Sequence, residues 1–224
     1  MRNDLMVTTR TGPPPATALQ LLLAAERLFA EHGLAGISLR QISIEAGSSN
    51  NSAIRYHFGS KDALLRAIFT YRLNELTQRR ALLRARANPD DLRAQLEAHI
   101  VPLIELAESP DSSYVSFVEQ LQRAGAVEVF MHQPDAMKSQ EEFAFGMQRL
   151  LPHIPEPART MRIQQAQDLG VHFAAERERS IRRGDAVVPF ALFVSCVVDG
   201  ITGFLEAPAS AETDRLISTG KSTF

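Results

Sequence analysis

The stretch SLRQISIEAGSSNNSAIRYHFGSK, residues 38–61, decides how this chain is read. Ser38 stands three residues before Gln41, the spacing of a capping box, and Leu39, Ile42 and Ala46 share one helical face before Gly47. A short helix is predicted, stopped by glycine. After a polar turn, NSAIRYHF is too brief to stand alone, and Gly59-Ser60 ends it and caps a longer amphipathic helix. That longer helix buries Leu64, Leu65, Ile68, Phe69, Leu73 and Leu76 at three-to-four spacing. Upstream, Leu19, Leu22, Leu23, Ala25, Leu28 and Phe29 repeat the same period and stop at Gly33.

Two short helices around a glycine-bearing turn, backed by a third, make a helix-turn-helix, whose second helix lies in the DNA major groove. The residue types suit that task. Ser49, Asn50, Asn51 and Ser52 fall at the start of the second helix, where exposed N–H groups and side-chain donors meet phosphates. Arg55 is able to fork onto a guanine edge, Tyr56 and His57 to donate to backbone oxygens, and Lys61 to add a point charge. Ser38 and Arg40, on the preceding helix, complete the candidate DNA-contacting set. Phe58 is the expected anchor of the short helix.

Composition agrees with two jobs in one chain. With 224 residues, 45% of them hydrophobic, the protein buries a proper core. Net charge is only −2. Residues 1–87, however, hold 12 Lys+Arg against 6 Asp+Glu, whereas residues 88–224 hold 12 against 20, so a basic front (+6) is joined to an acidic remainder (−8). A single cysteine, Cys196, excludes an internal disulfide framework and is read as an inert core thiol. The N-terminus lacks a secretory pattern, so a cytoplasmic location is expected. No His, Cys or carboxylate cluster has metal-ligand spacing, and no cofactor fingerprint is found, so neither metal nor cofactor is expected.

Taken together, GISLRQISIEAGSSNNSAIRYHFGSKDALL, residues 36–65, resembles the N-terminal domain of the TetR family of transcriptional regulators, and the likeness extends over residues 16 to 76. Two departures are visible. The run from Gly47 to Phe58 is one residue longer than the common pattern, and Arg55 stands where a first tyrosine is usual. The resemblance implies an all-α protein: an N-terminal three-helix helix-turn-helix domain plus a larger C-terminal helical ligand-binding and dimerisation domain. It implies a homodimer built on the last two long helices, double-stranded DNA with a palindromic operator as partner, and a small-molecule effector that releases a repressor.

Beyond residue 88 every convincing segment is helical, with breaks at Asn88-Pro89, Ser109-Pro110-Asp111, Gln133-Pro134, Pro152 to Pro157 and Gly184-Asp185. The expected organisation is an arm at 1–16, the DNA-binding domain at 17–76, the ligand-binding and dimerisation domain at 77–210, and a flexible tail at 211–224. Helices over about 157–183 and 188–206 are the dimer-forming pair. Aromatic and adaptable side chains crowd the middle of the chain, and an apolar cavity is expected there, with Phe117, Phe143, Met147 and Phe173 as apolar lining and Tyr114, His99 and Gln120 as polar contacts. An apolar effector is expected. Residues 186–205 are apolar enough to span a bilayer apart from Asp199, yet a helix apolar all round also fits a dimer core, and no membrane partner is expected. The alternative function is an all-helical enzyme acting on an apolar small molecule; no nucleophile elbow or metal pair supports it.

Overall fold

The computed structural model describes residues 16–47, 53–126 and 134–220, and among these every regular element is an α-helix. The expected arm therefore lies outside the described residues except for Ala16, which opens α1 (Ala16–His32). Next come α2 (Leu39–Glu45), α3 (Ala53–Phe58) and α4 (Lys61–Arg86). They are followed by α5 (Leu92–Ala107), α6 (Tyr114–Arg123), α7 (Pro134–Leu150), α8 (Ala158–Arg183), α9 (Phe190–Glu206) and α10 (Ala211–Gly220).

Local chemistry sets these boundaries. Ser38 caps α2 through the predicted reciprocal box: its Oγ accepts from the Gln41 N–H, and its own N–H donates to Gln41 Oε1 at 2.9 Å. Gly47, at φ +66°, leaves α2 in the left-handed region that only glycine enters at little cost. Ser60 caps α4 by accepting from the Ala63 N–H at 3.1 Å, and Asp91 caps α5 in the same way from Ala94 at 3.0 Å. The break after α8 is a glycine cap at Gly184, whose N–H bonds back to Ile181 O.

Helices α1 to α3 and the first half of α4 close around Leu21, Phe29, Ile42, Ile54, Leu64 and Ile68, all fully buried. The second half of α4 turns to α5 and α7; α5 packs on α8 and α9, and α6 lies between α1 and α8. One apolar core runs through both regions. The expected domain boundary between residues 76 and 77 falls inside α4, because the helix runs on past Leu76, the last residue of its buried stripe, without a breaker until Ala87. At about 1.5 Å per residue its 26 residues span about 39 Å, long enough to belong to both regions.

Two further expectations are corrected. Most of the segment expected as a flexible tail forms α10: Ser210 Oγ accepts from the Thr213 N–H at 3.2 Å, Glu212 pairs with Arg215, and Ile217 packs against the core. Residues 221–224 lie outside the described residues. Cys196 is exposed on α9, at the edge of a groove that it shares with Leu169 and Phe173 of α8. No single described helix is long and apolar enough to cross a membrane. Asp199, the charge inside the apolar run, pairs with Arg93 of α5.

Candidate functional site

The first candidate site is the outer face of α2 and α3. Helix α3 has six residues, too few to hold itself together, so its conformation is set by what it packs on. Ile54 is fully buried and Phe58, one turn on, is only half-buried, so Ile54 rather than the expected Phe58 is the principal anchor. Sequence reading passed over Ile54 although it stands four residues before Phe58 on the same face. With that side buried, Arg55 and Tyr56 point outward, Tyr56 being 85% exposed. His57 is half-buried, with its ring edge-on to Tyr56 at 5.0 Å between centroids. Arg40 is exposed on α2. Ser49, Asn50, Asn51 and Ser52 lie outside the described residues.

Two members of the expected DNA-contacting set have structural work. The Ser38 hydroxyl is committed to the cap of α2, donating to Gln41 Oε1 at 2.7 Å while accepting from the Gln41 N–H. Lys61 Nζ donates to Ile37 O at 2.7 Å and stands 5.4 Å from the centre of the Phe29 ring, so its charge fastens the start of α4 to α1 and to the loop before α2.

The second candidate site is a cavity of about 450 Å³ among α4, α5, α6, α7 and α8, within the usual size range of small-molecule sites. Phe69, Leu73 and Leu76 of α4, Ile100 and Leu103 of α5 and Val118 of α6 give it apolar walls. Gly170 lets α8 lie close to α5: a Cβ there would stand 3.3 Å from the Ile100 side chain, which would have to shift by a few tenths of an ångström.

Of the seven residues expected to bind a ligand, His99 and Tyr114 line this cavity. Phe143 lies behind His99, stacked at 3.8 Å between ring centroids. Phe117 is core, between Phe29 and Tyr114 at 6.4 Å from each, and Met147 is buried in the same core. Gln120 faces the other way and donates to Ala30 O of α1 at 3.3 Å. Phe173 borders a separate shallow apolar groove with Phe193, Cys196, Val197 and Gly200. Phe145, on the outer side of α7, is exposed.

The cavity's polar lining was not legible in the chain order. Arg80 Nε donates to His99 O at 2.9 Å. Burial first, then the nearby Arg84 charge, push the Arg80 guanidinium down to about 10, against an opposing effect of Tyr114; it is still charged at neutral pH. Burial, reinforced by Arg80 and Arg84, holds His99 well below the ordinary histidine range, so its ring is neutral. Burial pushes the Tyr114 phenol up, and its hydroxyl donates to Phe69 O at 3.2 Å. On the solvent side, Gln122 and Gln164 donate to Asp168 at 3.0 and 3.3 Å, and burial raises that carboxyl above its usual range.

The two sites are joined through the start of α6. Its free N–H groups are satisfied by two carboxylates: Glu26 of α1 accepts from Ser113 at 2.7 Å, and Glu178 of α8 accepts from Val115 and Ser116 at 3.2 and 2.8 Å. Burial, opposed by the Ser113 hydrogen bond, raises Glu26 to about 7. An acid set within the apolar stripe of α1, between Leu22 and Phe29, was the sequence signal for it.

Comparison with known proteins agrees with this geometry. Residues 21–68 match the family model described as bacterial regulatory proteins, tetR family. Over 63 residues the chain is 38% identical to the HTH-type transcriptional repressor AcnR of Corynebacterium efficiens; the match takes in 28% of this chain and spans only a third of that relative's length. The fold superposes on a TetR-family transcription regulator of Shewanella sp. PV-4 with a TM-score of 0.58 at 16% identity, covering 84% of this chain and 96% of that one. It also superposes on AmtR of Mycobacterium smegmatis with a TM-score of 0.54 at 19% identity, covering 89% and 91%. At such identities the superpositions establish a shared fold.

Proposed function

We propose, for a chain that belongs to the TetR family of bacterial regulatory proteins, the role of a homodimeric repressor that leaves its operator when a small molecule fills the cavity among α4 to α8. The observation that carries this reading is α4 itself. It packs against α1 and α3, and from Phe69 onward the same helix supplies Phe69, Leu73, Leu76 and Arg80 to the cavity wall. A ligand that moves α4 or α6 therefore moves the seat of α3. DNA affinity falls by as much as ligand affinity differs between the two arrangements.

Dimerisation through α8 and α9 accounts for the uncovered apolar face of α9, where Leu192 is 53% exposed and Gly200 and Gly203 leave room for close helix approach. Two copies would set their α3 helices about 34–36 Å apart on a palindromic site. Arg55 reads a base edge; Tyr56, His57 and Arg40 hold the phosphates.

The test is selection of genomic fragments by the purified protein at about 150 mM salt, where phosphate-only binding is weak. Recovery of a few fragments that share a palindrome is the expected result. Equal recovery of all fragments, or turnover of a bound small molecule, would overturn it.

A further inference from the structure

We propose, on the reading of this cavity as an effector site, that its occupant is an amphipathic organic acid with a single carboxylate received by Arg80 and an apolar body laid against α4 and α5. Arg80 differs from Arg79 and Arg84 beside it. Arg79 forks onto Glu105 at 2.8 and 2.9 Å, and Arg84 pairs with Glu142. Among the described residues no carboxylate lies within 4 Å of Arg80; its sole hydrogen bond uses Nε, and the amino ends of the guanidinium are left for a ligand. An unpaired cation held out of bulk water is costly, and a guanidinium fork matches a carboxylate in shape and charge.

Unpartnered polar atoms stand in the same wall. His99 is 5% exposed with Nδ1 lacking a partner, and Ser139 is 8% exposed with its Oγ in the same state. Gln167 Nε2, on the facing helix, is likewise buried without a partner. Buried polar groups are rarely left this way, and three in one cavity mark where a ligand's acceptor atoms belong. Each is able to donate to an oxygen.

Charge sets the class. A cationic ligand would be driven off by Arg80, and a neutral apolar one would leave the part-buried guanidinium and the donors unsatisfied. A dianion would need a second cation, and the described lining of the cavity holds none besides Arg80. Asp168, on the solvent side and already served by Gln122 and Gln164, repels a carboxylate at the rim, which turns the head inward towards Arg80. Phe69, Leu73, Leu76, Ile100 and Leu103 then face the apolar body.

The test is calorimetric titration of the full-length protein with straight-chain carboxylates of eight to fourteen carbons, and with the alcohols and trimethylammonium salts of the same lengths. The best carboxylate is expected to bind roughly ten- to a hundredfold more tightly than its alcohol, the usual gain from a hydrogen bond to a charged group. Arg80→Gln is expected to bring the carboxylate down to the alcohol's affinity without changing the alcohol's, and Arg80→Lys to restore part of the preference. Should Arg80→Gln fail to fold, the ratio measured on the native protein still decides. Alcohols or ammonium salts binding as tightly as carboxylates, a preference that survives Arg80→Gln, or no binding in any series would each overturn the proposal. A carboxylate preference with unchanged DNA affinity would instead uphold the head-group assignment and reject the regulator reading.

Discussion

The outer face of α3 and the cavity under α4 hold their chemistry in opposite ways. On α3 the exposed side chains are adjacent in sequence and turned to solvent, and one fully buried residue, Ile54, with the small Ala53 beside it, sets their aim. In the cavity the polar groups come from five helices and are turned inward, and their aim depends on the packing of all five. A surface site thus rests on few contacts and fails with any one of them, whereas a buried site is spread over many. Substitutions that strike one region and spare the other test that contrast.

The largest effect is expected from Ile54→Ala. Truncating a fully buried Ile costs about 2–5 kcal/mol, and here the loss falls on a helix without other deep anchors. Denaturant unfolding should show that destabilisation, and specific DNA binding should be lost while carboxylate affinity at the cavity is kept. A parallel loss of carboxylate affinity would mean that α3 and the cavity are one unit and would break the contrast.

Glu26 belongs to both regions, and its expected effect comes next. Its folded value of about 7 lies above the ordinary carboxyl value of 4.5, so its contribution to stability is fully present below pH 4.5 and is lost as pH rises through 7. The swing is about 3 kcal/mol. His99 acts in the opposite sense: its folded value is lowered, so its contribution is present above pH 6.5 and is lost as pH falls below. Stability measured from pH 5 to 8 in the native protein and in Glu26→Gln separates the two. Below pH 6.5 the two offset one another in the native protein, so the variant is expected to show a steeper fall towards acid and a weaker decline towards pH 7.5, the remainder coming from Glu178 and Asp168, whose carboxyls burial also raises. An unchanged decline would show that Glu26 is not the group held in its neutral form at the join.

These effects follow what the chain order did and did not disclose. Ser38, Gln41, Gly47, Gly59 and Ser60 announced the helix boundaries because caps and left-handed turns act over three or four residues. Arg55 and Tyr56 were legible for the same reason, since a helix of six residues with one buried face leaves them nowhere else to point. The cavity was not legible in detail. His99 and Tyr114 stood out as polar residues in apolar runs, but Arg80 looked like one more charge on a basic helix. Only the packing of α5 and α7 beside it shows which of the arginines without an acid borders the void. Gln120 and Phe173 carried the same sequence signal as His99 and face elsewhere, because a helix has several buried sides and periodicity does not say which of them borders a void.

A smaller effect sharpens the reading of the exposed face. Arg55→Ala is expected to cost about 1–3 kcal/mol at one or two base pairs and little elsewhere, as a forked base contact would. Tyr56→Phe should weaken binding alike on all sequences. Titration of the operator and of its single-base variants at fixed salt distinguishes the two, and equal losses on specific and random DNA for Arg55→Ala would remove that residue from base reading.

Ser38 carries the smallest expected effect and separates structural work from contact. Its hydroxyl is taken up in the cap of α2, so Ser38→Ala should cost about 1 kcal/mol of stability, the ordinary loss of a helix cap. Ser38→Asp restores the cap acceptor and places a negative charge favourably at the helix N-terminus, so its stability should return to near the native value. The same charge would face phosphates if Ser38 touched DNA. Near-native stability with near-native DNA affinity in Ser38→Asp would therefore make Ser38 a cap alone. Near-native stability with affinity lost, and lost more steeply at low salt, would place Ser38 beside the phosphates, so that the capping serine also lies on the contact face.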